Sequence, residues 1–515
     1  MKEHLIRKIF GIIVFLFVFS SLFAKDFVVT NFGVKPDGIT INTTSLQSLI
    51  DRVNIKGGGR IVFPEGKFLT GCLHLKSKVE LHFQVGAVLL GSTDPFQYFE
   101  LKPTSKQLSE RKDNSNLALI VANGADHISI TGRGSIDGQG LALALNADSL
   151  HHTGVYLDKN YNYRRMRPSE LVRPKLLYIE SCKNVRIDSL TIRNSACWGL
   201  SFDLCSDLSL TNLTVHNRAY WNNDGIDITD CKNVRIIGCN VNSADDGICL
   251  KSYHADSFND SVYIANCEIR SSASAIKFGT ASYGGFKNIS INHIKVFDTF
   301  RSAIAIESVD GGDIENVQIH DIVARNTGNP VFIRLGQRAG NKLGSIRNIV
   351  ISDMYVEVPF DRPDIDYDLR GPEVDFFHNP FSSSICGIPG NYIEKLHMEN
   401  IKIVYPGRSS RGMGYSPLSR LNDIPEQIKE YPEFSMFGEL PAWAFYVRHV
   451  NDFSIKNMIL ILKDDDFRPA FVFDDVKNFS IKDCSLPSYK KTGQFVLKNC
   501  EDYDVSPKSQ IMEIR

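Results

Sequence analysis

Lys183-Asn184-Val185-Arg186-Ile187 is followed by Ser206-Asp207-Leu208-Ser209-Leu210 and then by Lys232-Asn233-Val234-Arg235-Ile236. The same unit, a polar pair and then apolar residues at every second position, returns four more times. It does so at Asp260-Ser261-Val262-Tyr263-Ile264, Lys287-Asn288-Ile289-Ser290-Ile291, Glu315-Asn316-Val317-Gln318-Ile319 and Arg347-Asn348-Ile349-Val350-Ile351. After an interruption it reappears at Glu394-Lys395-Leu396, Asn451-Asp452-Phe453 and Lys477-Asn478-Phe479. From 183 to 347 the starts are 23, 26, 28, 27, 28 and 32 residues apart. Alternation of period two means strands, and a repeat of roughly 20–50 residues means a solenoid. One unit holds too little apolar surface to stand alone, so neighbouring coils must stack. The pattern predicts an all-β fold, a single-stranded right-handed parallel β-helix. A leucine-rich repeat would need regular Leu spacing and helical segments, which the pattern lacks.

Outward from the repeats, Thr43 to Lys56 reads as an amphipathic helix with Leu46, Leu49, Ile50 and Val53 on one stripe, ended by Gly57-Gly58-Gly59. Placed at the N-terminal end of the stack, it would cap an edge that otherwise invites strand pairing. Three long interruptions, near 141–172, 359–392 and 405–444, are expected to be loops forming functional walls, because insertions in a solenoid project from one side. The third is rich in rings (Tyr431, Phe434, Phe437, Trp443 and the adjoining Tyr446) that suit either sugar faces or a small core of the loop's own. Met1 to Ala24 reads as an export signal: Lys2, Arg7 and Lys8, then an uncharged run from Ile9 to Phe23, then small residues before Lys25. The expected organisation is therefore a signal peptide over 1–24 and one β-helix domain over 25–515, periplasmic or secreted. A retained membrane anchor is the alternative for the first segment.

The chain has 515 residues, 58 Lys and Arg against 59 Asp and Glu, a balance that speaks against a nucleic-acid binder. Eleven cysteines, none in C-x-x-C spacing, follow the repeat. Cys182, Cys205 and Cys231 share one slot of successive coils, and Cys239 and Cys267 another. Stacked core thiols fit that spacing better than zinc ligands or disulfides.

Two consecutive coils carry acidic clusters: Trp221-Asn222-Asn223-Asp224-Gly225-Ile226-Asp227 and Ser243-Ala244-Asp245-Asp246-Gly247-Ile248-Cys249. Asp224 and Asp246 are 22 residues apart, about one coil, so adjacent rungs would hold them about 4.8 Å apart along the stack. Asp-Gly alone could serve a turn. Asp224, Asp245 and Asp246 in register repel one another with no packing benefit, which points to function. Paired carboxylates suit glycoside hydrolysis, one protonating the leaving oxygen and another activating water or attacking carbon. Asp227 could join them or face solvent.

Together with Phe32-Gly33-Val34-Lys35-Pro36-Asp37-Gly38, Gly57 to Pro64, Leu89-Leu90-Gly91-Ser92, Arg173-Pro174-Lys175 and Asn194-Ser195-Ala196-Cys197-Trp198, these clusters resemble glycoside hydrolase family 28, the polygalacturonase-like pectin hydrolases. The resemblance implies inverting hydrolysis of galacturonosidic linkages without a cofactor or catalytic metal. It places the family's Asn-x-Asp on Asn222-Asn223-Asp224 and its Asp-Asp on Asp245-Asp246. Asp245 is thereby implied as general acid, with Asp224 and Asp246 positioning and deprotonating water and Asn222 near the substrate. The family's Gly-His-Gly falls on Ala273-Ser274-Ala275, and its Arg-Ile-Lys on Ala305-Ile306-Glu307. These departures speak against plain endo-attack on polygalacturonate and favour rhamnogalacturonan, while long loops at both ends of the coil would favour a closed, chain-end pocket.

Set in register on their inward Ile and Leu residues, the coils place Asp227, Cys249, Lys277 and Ala305 in one outward column. Lys277, one rung from the place of the family's Arg, is expected to bind a uronate carboxylate together with Arg334, one coil beyond that place. Trp221 is expected either as a sugar platform or as a wedge at the coil corner. His151-His152, with Tyr156, Tyr161 and Tyr163, could stack on a pectic chain or coat the coil. The expected partner is a pectic chain bound to a monomer, with no nucleic acid and no membrane after signal removal. The competing readings are a pectic polysaccharide lyase, with the acidic triplet holding calcium, and a non-catalytic carbohydrate-binding β-helix.

Overall fold

The computed structural model describes residues 26–514, except 106, 108–111, 365–380, 413, 415, 491 and 492. The segment read as an export signal lies outside the described residues, as does the middle of the 359–392 interruption.

The repeats wind into a right-handed parallel β-helix. The first apolar residue of every unit stacks on its counterpart in the next coil, from Val185 through Leu208, Val234, Val262, Ile289, Val317, Ile349, Leu396 and Phe453 to Phe479. These side chains are buried and form the spine of one continuous core. The polar pair has its own physical reason. Its second residue turns the chain with positive φ, from 53° at Asn184 to 59° at Asn316 and 50° at Asn478. Asn is among the few residues with a Cβ that visit this region readily. The side-chain amides also ladder along the stack: Asn348 Nδ2 donates to Asn316 Oδ1 at 3.1 Å, and Asn316 Nδ2 to Asn288 Oδ1 at 3.1 Å. Asn316→Ala should therefore lower stability by about 1 kcal/mol, chiefly through the left-handed backbone, readable as a lower denaturant midpoint.

Helix α1 (Thr43–Ile55) sits over the first coils with Leu46, Leu49, Ile50 and Val53 buried, as the stripe required. The interruption near 141–172 is not all loop, and this corrects the expectation. Its first part is helix α2 (Gly140–His152), in which Gly140, Leu143, Ala144 and Ala147 are buried at helical spacing. Ala and Leu are strong helix formers, and small residues on the inner face let the helix lie close to the coil. All eleven cysteines are free thiols, and Cys182, Cys205, Cys231, Cys239 and Cys267 are buried in the stack. Among the described residues no helix is long and apolar enough to cross a membrane.

Candidate active site

Four strands on successive rungs build one wall: β1 (Ile226–Thr229), β2 (Ile248–Ser252), β3 (Ile276–Ser282) and β4 (Gly285–Ser308). Their register pairs Asp227 with Cys249, Cys249 with Lys277 and Lys277 with Ala305, the column derived from the inward residues. The acidic turns stack as well, Gly225 N donating to Asp246 O at 2.9 Å. A Cβ on Gly225 would lie 2.5 Å from both Gly247 O and Val241 Cγ1, so close approach of the rungs demands glycine there. The Asp-Gly pairs thus serve a turn and a site together. Glycine lets the rungs touch, and the aspartates beside it line a cavity.

That cavity has a volume of about 690 Å³. Asp224, Asp245, Asp246, Asn222 and Lys277 all line it, joined by Trp198, Lys251, Arg338 and Tyr431. Asn222 is held from below, its Oδ1 accepting from Arg173 Nη2 at 2.8 Å. Asn223 fixes the same corner from inside, its amide donating to the carbonyls of Ser195 and Cys197. Ser274, at the place of the family's His, gives Asp246 a backbone N–H at 3.2 Å.

Two buried lysines divide the acids between them. Lys251 Nζ stands 3.3 Å from Asp224 Oδ2, 3.1 Å from Asp227 Oδ1 and 4.3 Å from the Trp198 ring centre. Lys277 Nζ stands 3.1 Å from Asp246 Oδ2, 4.0 Å from Glu307 Oε2 and 3.5 Å from the Tyr431 hydroxyl. Burial, together with the Asp227 charge, holds the Asp224 carboxyl well above the usual range despite Lys251. Burial likewise raises Asp227 to about 6, with Lys251 opposing. Burial acts on Asp246 too, but Lys277, Lys251 and Arg301 outweigh it and hold that group below its ordinary value. Two neighbouring acids whose surroundings push them in opposite directions are the arrangement that acid–base chemistry uses.

Two sequence expectations are corrected here. Arg334 does not line the cavity. It is buried under the 405–444 segment, where its guanidinium donates to the carbonyls of Gly387, Glu426 and Gln427. It anchors that segment because its position on the coil faces loop backbone. Trp221 does not line the cavity either. Arg167 lies over its ring at 4.1 Å and Arg165 at 5.1 Å, so the ring packs against the 153–172 segment. Trp198 supplies the aromatic surface instead. His151 stacks on Tyr161, ring centres 4.3 Å apart, away from the cavity. Of the rings in the third interruption, Phe434, Phe437, Trp443 and Tyr446 are buried, and Tyr431 reaches the cavity. Asp227 is a buried member of the cluster and does not face solvent.

Sequence reasoning missed Lys251. The signal was parity: Cys249 and Lys251 point outward from one strand, so the lysine had to stand beside the acidic turns. Glu307, read as a departure from the family, is buried and takes a hydrogen bond from Thr280 Oγ1 at 3.1 Å. Burial pushes it up to about 7, with Lys277 opposing. Because this folded value lies above the ordinary 4.5, its stabilisation is complete below about pH 4.5 and is lost as pH rises to about 7. Glu307→Gln should remove about 3 kcal/mol of that decline, measured as unfolding free energy at pH 4 and pH 8.

Residues 38–357 match the model of glycosyl hydrolases family 28. The "Probable polygalacturonase" of Vitis vinifera is 26% identical over 333 residues, which cover 63% of this chain and 59% of that protein. The exo-poly-alpha-D-galacturonosidase of Dickeya chrysanthemi is 28% identical over 247 residues, 43% of this chain and 41% of that one. The chain thus spans about half the length of these curated relatives. The crystal structure of a hyperthermoactive exopolygalacturonase from Thermotoga maritima superposes with a TM-score of 0.58 over 74% of this chain and 87% of that one, at 22% identity, and so shares the fold. With the family model spanning more than half of its length, the chain belongs to glycosyl hydrolase family 28.

Proposed function

We propose that this protein is an exported, monomeric glycoside hydrolase that cleaves galacturonosidic linkages in pectin from a chain end, by an inverting acid–base mechanism. The observation that carries the reading is the meeting of Asp224, Asp245 and Asp246 in one cavity, with each of the buried pair, Asp224 and Asp246, set against its own lysine. A binding module gives no reason for that arrangement, and the relatives named above are polygalacturonases.

In this reading Asp245, half-buried at the cavity wall, gives its proton to the oxygen of the departing sugar. Asp246, held ionised by Lys277, takes a proton from the attacking water, and Asp224 orients that water. The water oxygen bonds to the anomeric carbon as the glycosidic bond breaks, so the protons balance across the two acids. Trp198 and Tyr431 offer ring faces, and Asn222 and Lys277 offer hydrogen bonds to sugar hydroxyls.

Chain-end attack is supported by what closes the cavity. Ser105 Oγ meets His254 Nε2 at 2.7 Å and Asp113 accepts from the Tyr253 hydroxyl, fastening Ser105 and Asp113 across one side. On the other side Arg301 pairs with Glu433 at 2.7 Å and Tyr431 leans over Lys277. A volume near 690 Å³ falls within the roughly 300–1,000 Å³ of small-molecule pockets. The test is the product profile on pectic polymers over time. Small products from the first minutes, with slow loss of viscosity, support chain-end hydrolysis, whereas a spread of mid-length oligomers rejects it. Unsaturated ends absorbing in the near ultraviolet would mean a lyase, and binding without products a carbohydrate-binding protein.

A further inference from the structure

We propose that the sugar seated against Lys277 and Tyr431 is uncharged, and that Glu307 is the residue that sets this preference. The inference rests on the hydrolase reading and deepens it by naming the chemistry of one subsite.

Lys277 is the buried cation of β3 that reaches the cavity, and it is 2% exposed. It already faces two carboxylates, Asp246 at 3.1 Å and Glu307 at 4.0 Å. Among the described residues, the half-buried cations nearest this part of the cavity are likewise matched. Arg301 pairs with Glu433 at 2.7 Å, and Arg338 holds Asp310 through two hydrogen bonds, at 2.9 and 2.7 Å. Three cations therefore stand against four carboxylates. With Glu307 protonated the group is neutral, and with Glu307 ionised it carries one negative charge. Neither state leaves a surplus positive charge for a sugar carboxylate. A uronate placed here would add an anion to a buried site with no free counter-charge among the described residues, whereas hydroxyls can accept from Lys277 and an apolar face can lie on Tyr431. Lys112, which also lines the cavity, is exposed, so solvent and salt screen its charge.

Glu307 is built into this arrangement. It lies on β4 two residues beyond Ala305, the rung partner of Lys277, and Thr280 Oγ1 orients its carboxylate. A Cβ on Gly279 would come within 3.3 Å of Glu307 Oε2, so the neighbouring turn closes over the carboxylate. Two pectic chemistries supply an uncharged sugar: a neutral hexose or deoxyhexose, and a galacturonate whose carboxyl is methyl-esterified.

The test compares kcat/KM on three oligomers: de-esterified galacturonate, its methyl ester, and a galacturonate–rhamnose alternating oligomer. Wild type, Glu307→Gln and Asp245→Asn are measured on each. Wild type should favour at least one uncharged-neighbour substrate over the de-esterified oligomer by about tenfold or more. Which of the two is favoured identifies the source. Glu307→Gln should narrow that ratio by raising turnover of the acidic oligomer while leaving the uncharged substrates close to wild type. That pattern is one a structural role would not give, since lost structure lowers all three. Preference of wild type for the de-esterified oligomer overturns the proposal and leaves the hydrolase reading intact, as does an unchanged ratio in Glu307→Gln. Turnover of none of the three, or activity that survives Asp245→Asn, overturns the hydrolase reading itself. If Glu307→Gln does not fold, binding to folded Asp245→Asn decides. Galacturonate methyl ester should then bind more tightly than galacturonate, and the reverse order overturns the proposal.

Discussion

Asp245→Asn is expected to lose about 10²–10⁴ of the hydrolytic rate, the range that a positioned general acid supplies. The fold should be almost untouched. Its backbone carbonyl accepts from Ser243 Oγ and Ser271 Oγ, each at 2.7 Å, and its Oδ1 accepts from Asp246 N at 3.1 Å, a bond that the amide oxygen of Asn can keep without change of shape. Reducing-end release together with a thermal melt checks both halves. A variant with full activity would remove Asp245 from the chemistry. A variant that loses its melting transition would make the residue structural.

Lys251→Met is expected to damage stability and activity together. Lys251 lies between Asp224 and Asp227, all three buried, and its loss leaves the two carboxylates facing each other without their nearest counter-charge. Breaking a buried ion pair from one side costs about 3–5 kcal/mol. The pH dependence has a definite sign. Burial already raises both acids, and loss of the cation that opposes it raises them further, so the folded variant binds protons more tightly than the unfolded chain. The deficit should therefore be smallest in acid and grow as pH rises. Adding Asp227→Asn to Lys251→Met removes one of the opposed charges and should restore part of the stability but not the activity. Urea unfolding of the single and double variants at pH 4 and pH 7 reads this directly.

Much of this molecule was legible because a solenoid writes its fold locally. The polar pair at Asn288 and Asn316 marks a left-handed turn, and the alternation after it marks a strand with one face buried. The constant spacing then sets the register, which alone aligns Asp227, Cys249, Lys277 and Ala305 in one column. What the sequence hid is what the repeat does not govern. The α2 run, Leu141 to Leu150, breaks the alternation, and its helix is decided by Ala and Leu propensity and by room beside the coil. Arg334 obeys the register but meets loop backbone, because the long segment at 405–444 folds over that rung. Trp221 turns to Arg165 and Arg167 for the same kind of reason: its partners arrive from an insertion, not from the stack. Lys251 was open to the same parity argument that placed Lys277. Its role became plain only once Asp227 was found buried beside it.

The most direct test of the central claim follows the anomeric proton of the first product by NMR as wild-type protein acts on short galacturonate oligomers, with Asp245→Asn as control. The account predicts a new reducing end whose anomeric configuration is first opposite to that of the broken bond and then mutarotates, and its absence in the variant. A first product of retained configuration, an unsaturated product, or equal turnover by the variant would contradict it.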